Sequence, residues 1–380
     1  MSDFRFYPYY VVWETTFACN MRCVHCGTSA GKRRPNELSA QEALNLIDEL
    51  ADLGTEHLVL SGGEPLLRED WPELTRKSRS RGIGTYMITN GYAVTPEIVD
   101  EMLAAGMNKV GVSFDGTEKT HNYIRQRDNS YAKVLNAMAL LNESKLPFQA
   151  VSQISNINIG ELDQMRQILI DNGARDWRIQ MTTTTGRMRG LSDMVLSLSN
   201  YENLIDKIIE FRKRDGIRID PGENIGYYGC KGCELIKGGI YLGCYAGTRV
   251  AGIESNGNVK GCLSMQEDFV EGNIRDSSFT EIWNRPDAFA YNRRFTRETA
   301  SGPCRDCHYL AICRGGCTTT SFSQTGERAN NPYCIHRLEL EQGIQPPPDD
   351  AHIAELLDRF DPKKVAENDP DHQIAPDCPA

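Results

Sequence analysis

Between residues 10 and 213 the chain alternates short apolar runs with longer stretches whose apolar positions recur every three or four residues. The short runs read as strands and the longer stretches as amphipathic helices. Tyr10–Thr15 predicts the first strand. Ser39–Leu53 predicts a helix, with Ala43, Leu46, Ile47 and Leu50 on one face, Ser39 as its N-cap and Glu42 three residues on. His57–Leu60, Thr85–Ile88, Lys109–Phe114, Phe148–Ile154 and Trp177–Met181 predict further strands. Trp71–Arg81, Pro96–Ala104, Tyr131–Asn142, Ile159–Asp171 and Asn203–Arg212 predict the helices between and after them. Such an alternation implies a parallel α/β sheet with helices outside. The polar segments at the ends of these strands are Cys19–Cys26, Ser61–Pro65, Thr89–Gly91 and Asp115–Gly116. In parallel α/β sheets the chemistry lies at the C-terminal ends of the strands.

Beyond residue 213 the pattern fades. Residues 214–243 are glycine-rich and irregular, a bridging segment that holds Cys230 and Cys233. Residues 244–335 hold seven more cysteines and read as a small cysteine-rich domain. Residues 336–380 are rich in Pro and Asp, with one short helix candidate at Ala351–Phe360, and are expected to be partly disordered. Cys378 in that tail reads as incidental.

A length of 380 residues exceeds one domain's usual share, and a mean hydropathy of −0.47 describes a soluble globular chain. The formal charge of −10 argues against nucleic acid as a partner, because no basic surplus exists to neutralise phosphates. The cluster Lys32-Arg33-Arg34 reads as a solvated loop. The N-terminus shows no signal-peptide pattern, and no apolar run is long enough to span a membrane, so a cytoplasmic location is expected. Thirteen cysteines in such a chain point to metal or redox chemistry rather than disulfides.

The sharpest feature is Cys19, Cys23 and Cys26, in the spacing C-x3-C-x2-C directly after the first strand. Soft thiolates this close suit an iron–sulfur cluster or zinc. Three of them leave either one a protein ligand short. The spacing resembles the signature of the radical S-adenosylmethionine (SAM) superfamily, whose usual aromatic before the third cysteine is replaced here by His25. That resemblance implies an open, TIM-like (β/α)6 partial barrel over residues 1–213, with a [4Fe–4S] cluster on the three cysteines and SAM on its fourth iron. Gly62-Gly63-Glu64-Pro65 resembles the family's GGEP motif, which binds the SAM ammonium group. Asn90 and Ser113, at strand ends, are expected to bind the ribose or the methionine carboxylate, and Arg125 to clamp that carboxylate. Asp115 is a weaker candidate, His121 reads as structural, and Gln153, Gln180 and Met181 are expected near adenosine or substrate. No residue is identifiable as a catalytic acid or base.

The later cysteines follow a second pattern. Cys244 is followed by twelve residues, Gly257, four residues and Cys262, then by Cys304-x2-Cys307-x5-Cys313-x3-Cys317 and Cys334. Read alone, Cys304–Cys317 could be a zinc ribbon. The whole resembles the SPASM domain of many radical SAM enzymes, which implies two auxiliary [4Fe–4S] clusters. By that resemblance Cys304, Cys307, Cys313 and Cys334 hold one, and Cys244, Cys262 and Cys317 part of the other. Either Cys230 or Cys233 is the expected fourth ligand, with an open iron as the alternative. Asn256-Gly257 marks a tight hairpin turn.

The resemblance implies an oxidoreductase that cleaves SAM to a 5′-deoxyadenosyl radical and abstracts hydrogen from a ribosomal peptide or protein, a peptide maturase. The same chemistry on a small metabolite, such as a tetrapyrrole side chain, is the alternative. A non-catalytic iron–sulfur electron-transfer protein is the third reading. Leu263 stands where enzymes that oxidise a sulfatase Ser or Cys carry an Asp after the matching cysteine, which disfavours that subtype. No leader-binding domain precedes the barrel, so a peptide substrate is expected to dock directly or through a separate recognition protein. An external donor of the flavodoxin or ferredoxin kind is the other expected partner.

Overall fold

A computed structural model of the chain describes residues 6–235 and 241–344. The helix candidate at residues 351–360, most of the expected tail and Cys378 lie outside the described residues.

Seven strands run parallel in sequence order: β1 (Tyr10–Thr16), β2 (His57–Gly62), β3 (Gly84–Thr89), β4 (Lys109–Ser113), β5 (Phe148–Ile154), β6 (Asp176–Met181) and β7 (Arg218–Pro221). Helices α1 (Ala40–Asp52), α2 (Trp71–Ser80), α3 (Pro96–Ala105), α4 (Glu118–Arg125), α5 (Ser130–Glu143), α6 (Leu162–Asp171) and α7 (Leu198–Arg212) connect them. Ser39 and Glu42 form a reciprocal capping box at the start of α1, whose Ala43, Leu46, Ile47 and Leu50 are buried. Two of these elements go beyond the sequence pattern. Helix α4 is a two-turn insertion between β4 and α5 whose buried residues are His121, Ile124 and Arg125, so a single apolar position marks its inner face. Strand β7 falls in the stretch read as an irregular bridge, where four residues ending in proline carry no legible alternation.

Three short strands, β8 (Val250–Ile253), β9 (Asn258–Lys260) and β10 (Gly272–Asn273), extend the same sheet at its other edge. Strand β8 pairs parallel with β1, Tyr10 opposite Val250, and β9 folds back antiparallel across the Asn256-Gly257 turn. The cysteine-rich region is thus continuous with the barrel sheet. Buried Glu14 fastens the join: its Oε1 accepts from Arg34 Nε at 3.2 Å and from Ser255 Oγ at 2.8 Å.

Burial alternates along β3, β5 and β6. Thr85, Met87, Ala150, Ile154, Trp177 and Ile179 are buried, and the apolar ones join the core beneath the helices. The intervening Tyr86, Ile88, Gln149, Val151, Gln153, Arg178 and Gln180 are only half-buried. A Cβ on Gly111 of β4 would meet Ile88 and Val151, which places this second set on one shared face, the inner face of the curved sheet. The barrel therefore encloses an open lumen rather than a packed core. Among the described residues no helix is long and apolar enough to cross a membrane.

Candidate active site

The three cysteines Cys19, Cys23 and Cys26 leave the end of β1 in a loop held on three sides. The Cys19 N–H donates to Gly31 O at 2.9 Å, closing the loop at its base. The turn after β2 presses on it from one flank. Gly63 N–H donates to Thr16 O and Glu64 N–H to Ala18 O, each at 2.8 Å. A side chain at Gly63 would overlap the Ala18 carbonyl, so only glycine lets the two backbones meet. Glu64 is fully buried and accepts from Thr89 Oγ1 at 2.7 Å and from the Asn90 N–H at 2.8 Å. Burial pushes its carboxyl up to about 7, against those two hydrogen bonds and the pull of Arg125. Pro65 opens a short turn at Pro65–Leu67. Asn90 in turn donates from Nδ2 to Asn20 Oδ1 at 2.7 Å, inside the cysteine loop. The sequence GGEP and TNG thus meet at one edge of that loop.

A buried ionic group forms the second flank. Asp115, at the end of β4, receives His25 Nε2 at 3.1 Å and an ion pair from Arg125 on α4. Burial opposes its ionisation, but the Arg125 guanidinium and His25 overcome this and hold the carboxyl well below the usual range. Arg125 also points Nη1 at Cys23 Sγ, at 3.8 Å. Here, then, the guanidinium expected at the SAM carboxylate rests on Asp115 and on the Cys23 thiol. His121 donates nothing to this site. Burial and the nearby Arg125 push it down to about 3, so it is neutral, with Nδ1 accepting from the Asp115 N–H at 3.1 Å. Ser113 stands half-buried at the end of β4. Gln153 and Gln180 face the lumen, whereas Met181 is buried in the helix-side core.

The third flank was not legible in the sequence. After β6 the segment Thr182–Met188 crosses under the cysteine loop. Gly186, at a φ of +53°, lies so close that a Cβ would overlap the carbonyls of Cys26 and Gly27. Arg187 spans the loop: its Nε donates to Cys23 O at 2.8 Å and its Nη1 to Ala30 O at 3.0 Å. Thr184 Oγ1 donates to Ser323 O at 2.8 Å, tying the same segment to the helix Thr318–Thr325 that Cys317 caps. A Gly-Arg pair after a strand has no distinctive pattern, so no sequence signal marked it.

The other thiols fall into two groups. Cys244 and Cys262 pack around Ala246, Met265, Phe269, Tyr291 and Phe322, and Cys317 lies within electrostatic reach of both. Cys304, Cys307, Cys313 and Cys334 form the second group. Its wall includes Tyr227, Tyr228 and Tyr241 from the stretch read as a bridge, with Tyr228 stacked on Tyr309 at 4.5 Å. The structure does not bring Cys230 to the first group. It is exposed, and its N–H donates to Glu339 Oε2 at 2.8 Å on the helix that follows Cys334.

These donors suit iron–sulfur clusters. None of the described cysteines forms a disulfide. Burial pushes the thiols of Cys19 and Cys262 up to about 11 and those of Cys317 and Cys334 up to about 12. Binding of a metal cation such as iron displaces the protons of such thiols. Among the described residues no three His, Cys, Asp or Glu side chains converge tightly enough to chelate one ion. Grouped soft thiolates are the usual ligands of iron–sulfur clusters.

Comparison with known proteins agrees. The sequence pattern of the radical SAM superfamily matches residues 13–171, and that of an iron–sulfur cluster-binding SPASM domain matches residues 244–308. The AdoMet-dependent heme synthase of Methanosarcina barkeri is 32% identical, with 87% of this chain and 97% of the relative covered. The mycofactocin maturase MftC of Mycolicibacterium smegmatis is 29% identical over 91% of this chain and 88% of its own. Among solved structures, Streptococcus suis SuiB bound to S-adenosylmethionine is similar in fold, with a TM-score of 0.69 and 16% identity over 86% of this chain and 76% of that one. The chain belongs to the radical SAM superfamily, as an enzyme that joins a partial-barrel core binding SAM and a [4Fe–4S] cluster to a C-terminal SPASM iron–sulfur domain.

Proposed function

We propose that this enzyme abstracts hydrogen from a ribosomal peptide or protein and so modifies it. The observation that carries the reading is the charge balance of the lumen. The strand-borne cations on its inner face are already claimed: Lys109 by Asp176 at 2.7 Å, and Arg178 by Asp220 at 2.7 Å and by Glu223. The remaining polar groups there are mostly neutral, namely Gln149, Gln153, Gln180, Tyr10 and Tyr86. Amide side chains pair with peptide N–H and C=O groups, which have both a donor and an acceptor to satisfy. A tetrapyrrole bearing several carboxylates needs unpaired cations. The relatives support a peptide as well, since one is a mycofactocin maturase.

When bound, SAM and its cluster supply a 5′-deoxyadenosyl radical, the species that removes a hydrogen atom from an unactivated C–H bond. The protein's part is placement. On this reading Cys19, Cys23 and Cys26 hold the cluster, Glu64 and the glycines beside it receive the ammonium end of SAM, and Asn90 and Ser113 stand at the neighbouring strand ends. Arg125 holds His25 through Asp115 and reaches the Cys23 thiol directly. The lumen face brings the substrate carbon close to the reacting atom, and that proximity selects the bond. Cys244, Cys262 and Cys317 on one side, and Cys304, Cys307, Cys313 and Cys334 on the other, hold the auxiliary clusters.

A second reading, action on a tetrapyrrole side chain, is favoured by a different observation: the heme synthase of M. barkeri aligns over nearly its whole length. One experiment separates the two. Reconstituted enzyme is given SAM, a reductant and either the short peptides encoded beside its gene or an iron tetrapyrrole carrying propionates. The peptide reading predicts a mass change in one peptide coupled to 5′-deoxyadenosine formation. A mass change in the tetrapyrrole alone would sink it.

A further inference from the structure

The chain as a whole is acidic, with a formal charge of −10, yet the surface beside the cysteine loop is basic. Arg22 is exposed within the loop itself. Lys119 on α4, Arg127 just beyond it and Lys133 on α5 are exposed next to it. Glu118 and Asp128 are the acidic residues of the same stretch, so positive charge is in excess. These cations belong to one surface. Arg127 lies over the Tyr92 ring at 4.2 Å, and Lys133 Nζ is 5.9 Å from the same ring. Lys119 and Arg127 share the rim of an open hollow of about 520 Å³, with Tyr123 half exposed between them.

The patch is built directly on the loop that carries the three thiols. Arg127 Nη1 donates to Asn20 O at 2.8 Å, one residue after Cys19, and the Val24 N–H donates to Ile124 O of α4 at 2.9 Å. On the other side of the loop Lys32 is also exposed, but its two neighbours are neutralised. Arg33 is paired with Glu37 at 2.8 Å and Arg34 with Glu14 at 3.1 Å. Arg22, Lys119 and Lys133 make no ion pair among the described residues, so their field is directed outward.

We propose that this surface is the docking face for an acidic one-electron carrier, a flavodoxin or ferredoxin, that reduces the cluster on Cys19, Cys23 and Cys26. One electron passes from the reduced carrier to the oxidised cluster, the carrier leaves oxidised by one electron, and no atom is transferred. Unpaired lysines and arginines around exposed aromatic rings suit such a transient, electrostatically steered encounter. The contact lands one residue from a cluster ligand, which keeps the transfer distance short.

The test uses the reconstituted holoenzyme and compares two reductants for 5′-deoxyadenosine formation: a reduced acidic flavodoxin, and dithionite, which needs no docking site. In the Lys119→Glu, Lys133→Glu double variant the flavodoxin-driven rate at limiting carrier should fall by roughly tenfold or more at low salt. The dithionite-driven rate should stay at the wild-type level. The wild-type rate with flavodoxin should fall as salt is added, and a Lys119→Arg, Lys133→Arg pair should keep the wild-type rate at low salt. A Lys119→Gln, Lys133→Gln pair guards against misfolding by the reversed charges and should show a smaller loss confined to flavodoxin. An undiminished flavodoxin-driven rate in the Glu pair overturns the proposal. So does an equal loss with both reductants in the Gln pair. A dithionite-driven defect that appears only with peptide present would assign the patch to an acidic substrate segment instead.

Discussion

Arg187 offers the sharpest test of how the cysteine loop is held. Its guanidinium makes two charge-assisted hydrogen bonds, to Cys23 O at 2.8 Å and to Ala30 O at 3.0 Å, and so joins the two ends of the loop. Bonds from a charged donor contribute about 1.5–3 kcal/mol each, and the half-buried setting favours the lower figure. Arg187→Ala should therefore lower the free energy of opening the loop by about 3 kcal/mol. That raises the open population on the order of 100-fold. Lys reaches one carbonyl but cannot span both, so Arg187→Lys should fall between wild type and Ala. The assay is the rate at which an iron chelator removes the SAM-binding cluster from anaerobic enzyme, followed by paramagnetic resonance of the reduced protein. If release proceeds through local opening, the rate should scale with the open population. The auxiliary signals should be lost at the wild-type rate, because Arg187 touches neither later cysteine group. An Ala variant that releases its SAM-binding cluster at the wild-type rate would refute the argument that this residue closes the loop.

Three further outcomes are expected. Gly63→Ala drives a methyl into the Ala18 carbonyl and should destabilise the fold by about 1–3 kcal/mol in thermal unfolding, with weakened SAM binding by calorimetry. Burial raises Glu64 from 4.5 to about 7, so its contribution to stability is full below the lower value and is lost as pH rises through the upper one. Relative to Glu64→Gln, wild type should lose stability across that window, while its SAM affinity should rise through it as the carboxylate forms; a SAM dissociation constant equally pH-dependent in both would contradict the role of Glu64. Cys230→Ala should leave iron content and auxiliary resonance signals unchanged, because Cys230 sits with Glu339 and not with Cys244, Cys262 and Cys317; loss of iron would return it to the ligand set.

Much of the protein was legible in its sequence because much of it depends on local rules. Period and length mark the strands from β1 to β6 and the helices among them other than α4, since each must bury one face. The cysteine spacings are legible for a similar reason: chelation by neighbouring thiols constrains residues only a few positions apart. The capping box at Ser39 and the turn at Asn256-Gly257 are likewise written within four residues. What the tertiary structure decided is everything that depends on residues far apart in the chain. It brought β8 beside β1 and made the SPASM hairpin part of the barrel sheet. It sent Gly186 and Arg187 under a loop some 160 residues earlier, a contact that leaves no periodic trace. It paired Arg125 with Asp115 and Cys23, where the sequence suggested a clamp for the SAM carboxylate. It also set Cys230 beside Glu339. Short-range order follows from backbone sterics and periodic burial, whereas long-range partners are chosen by the packing of the whole sheet, and only the folded chain expresses that choice.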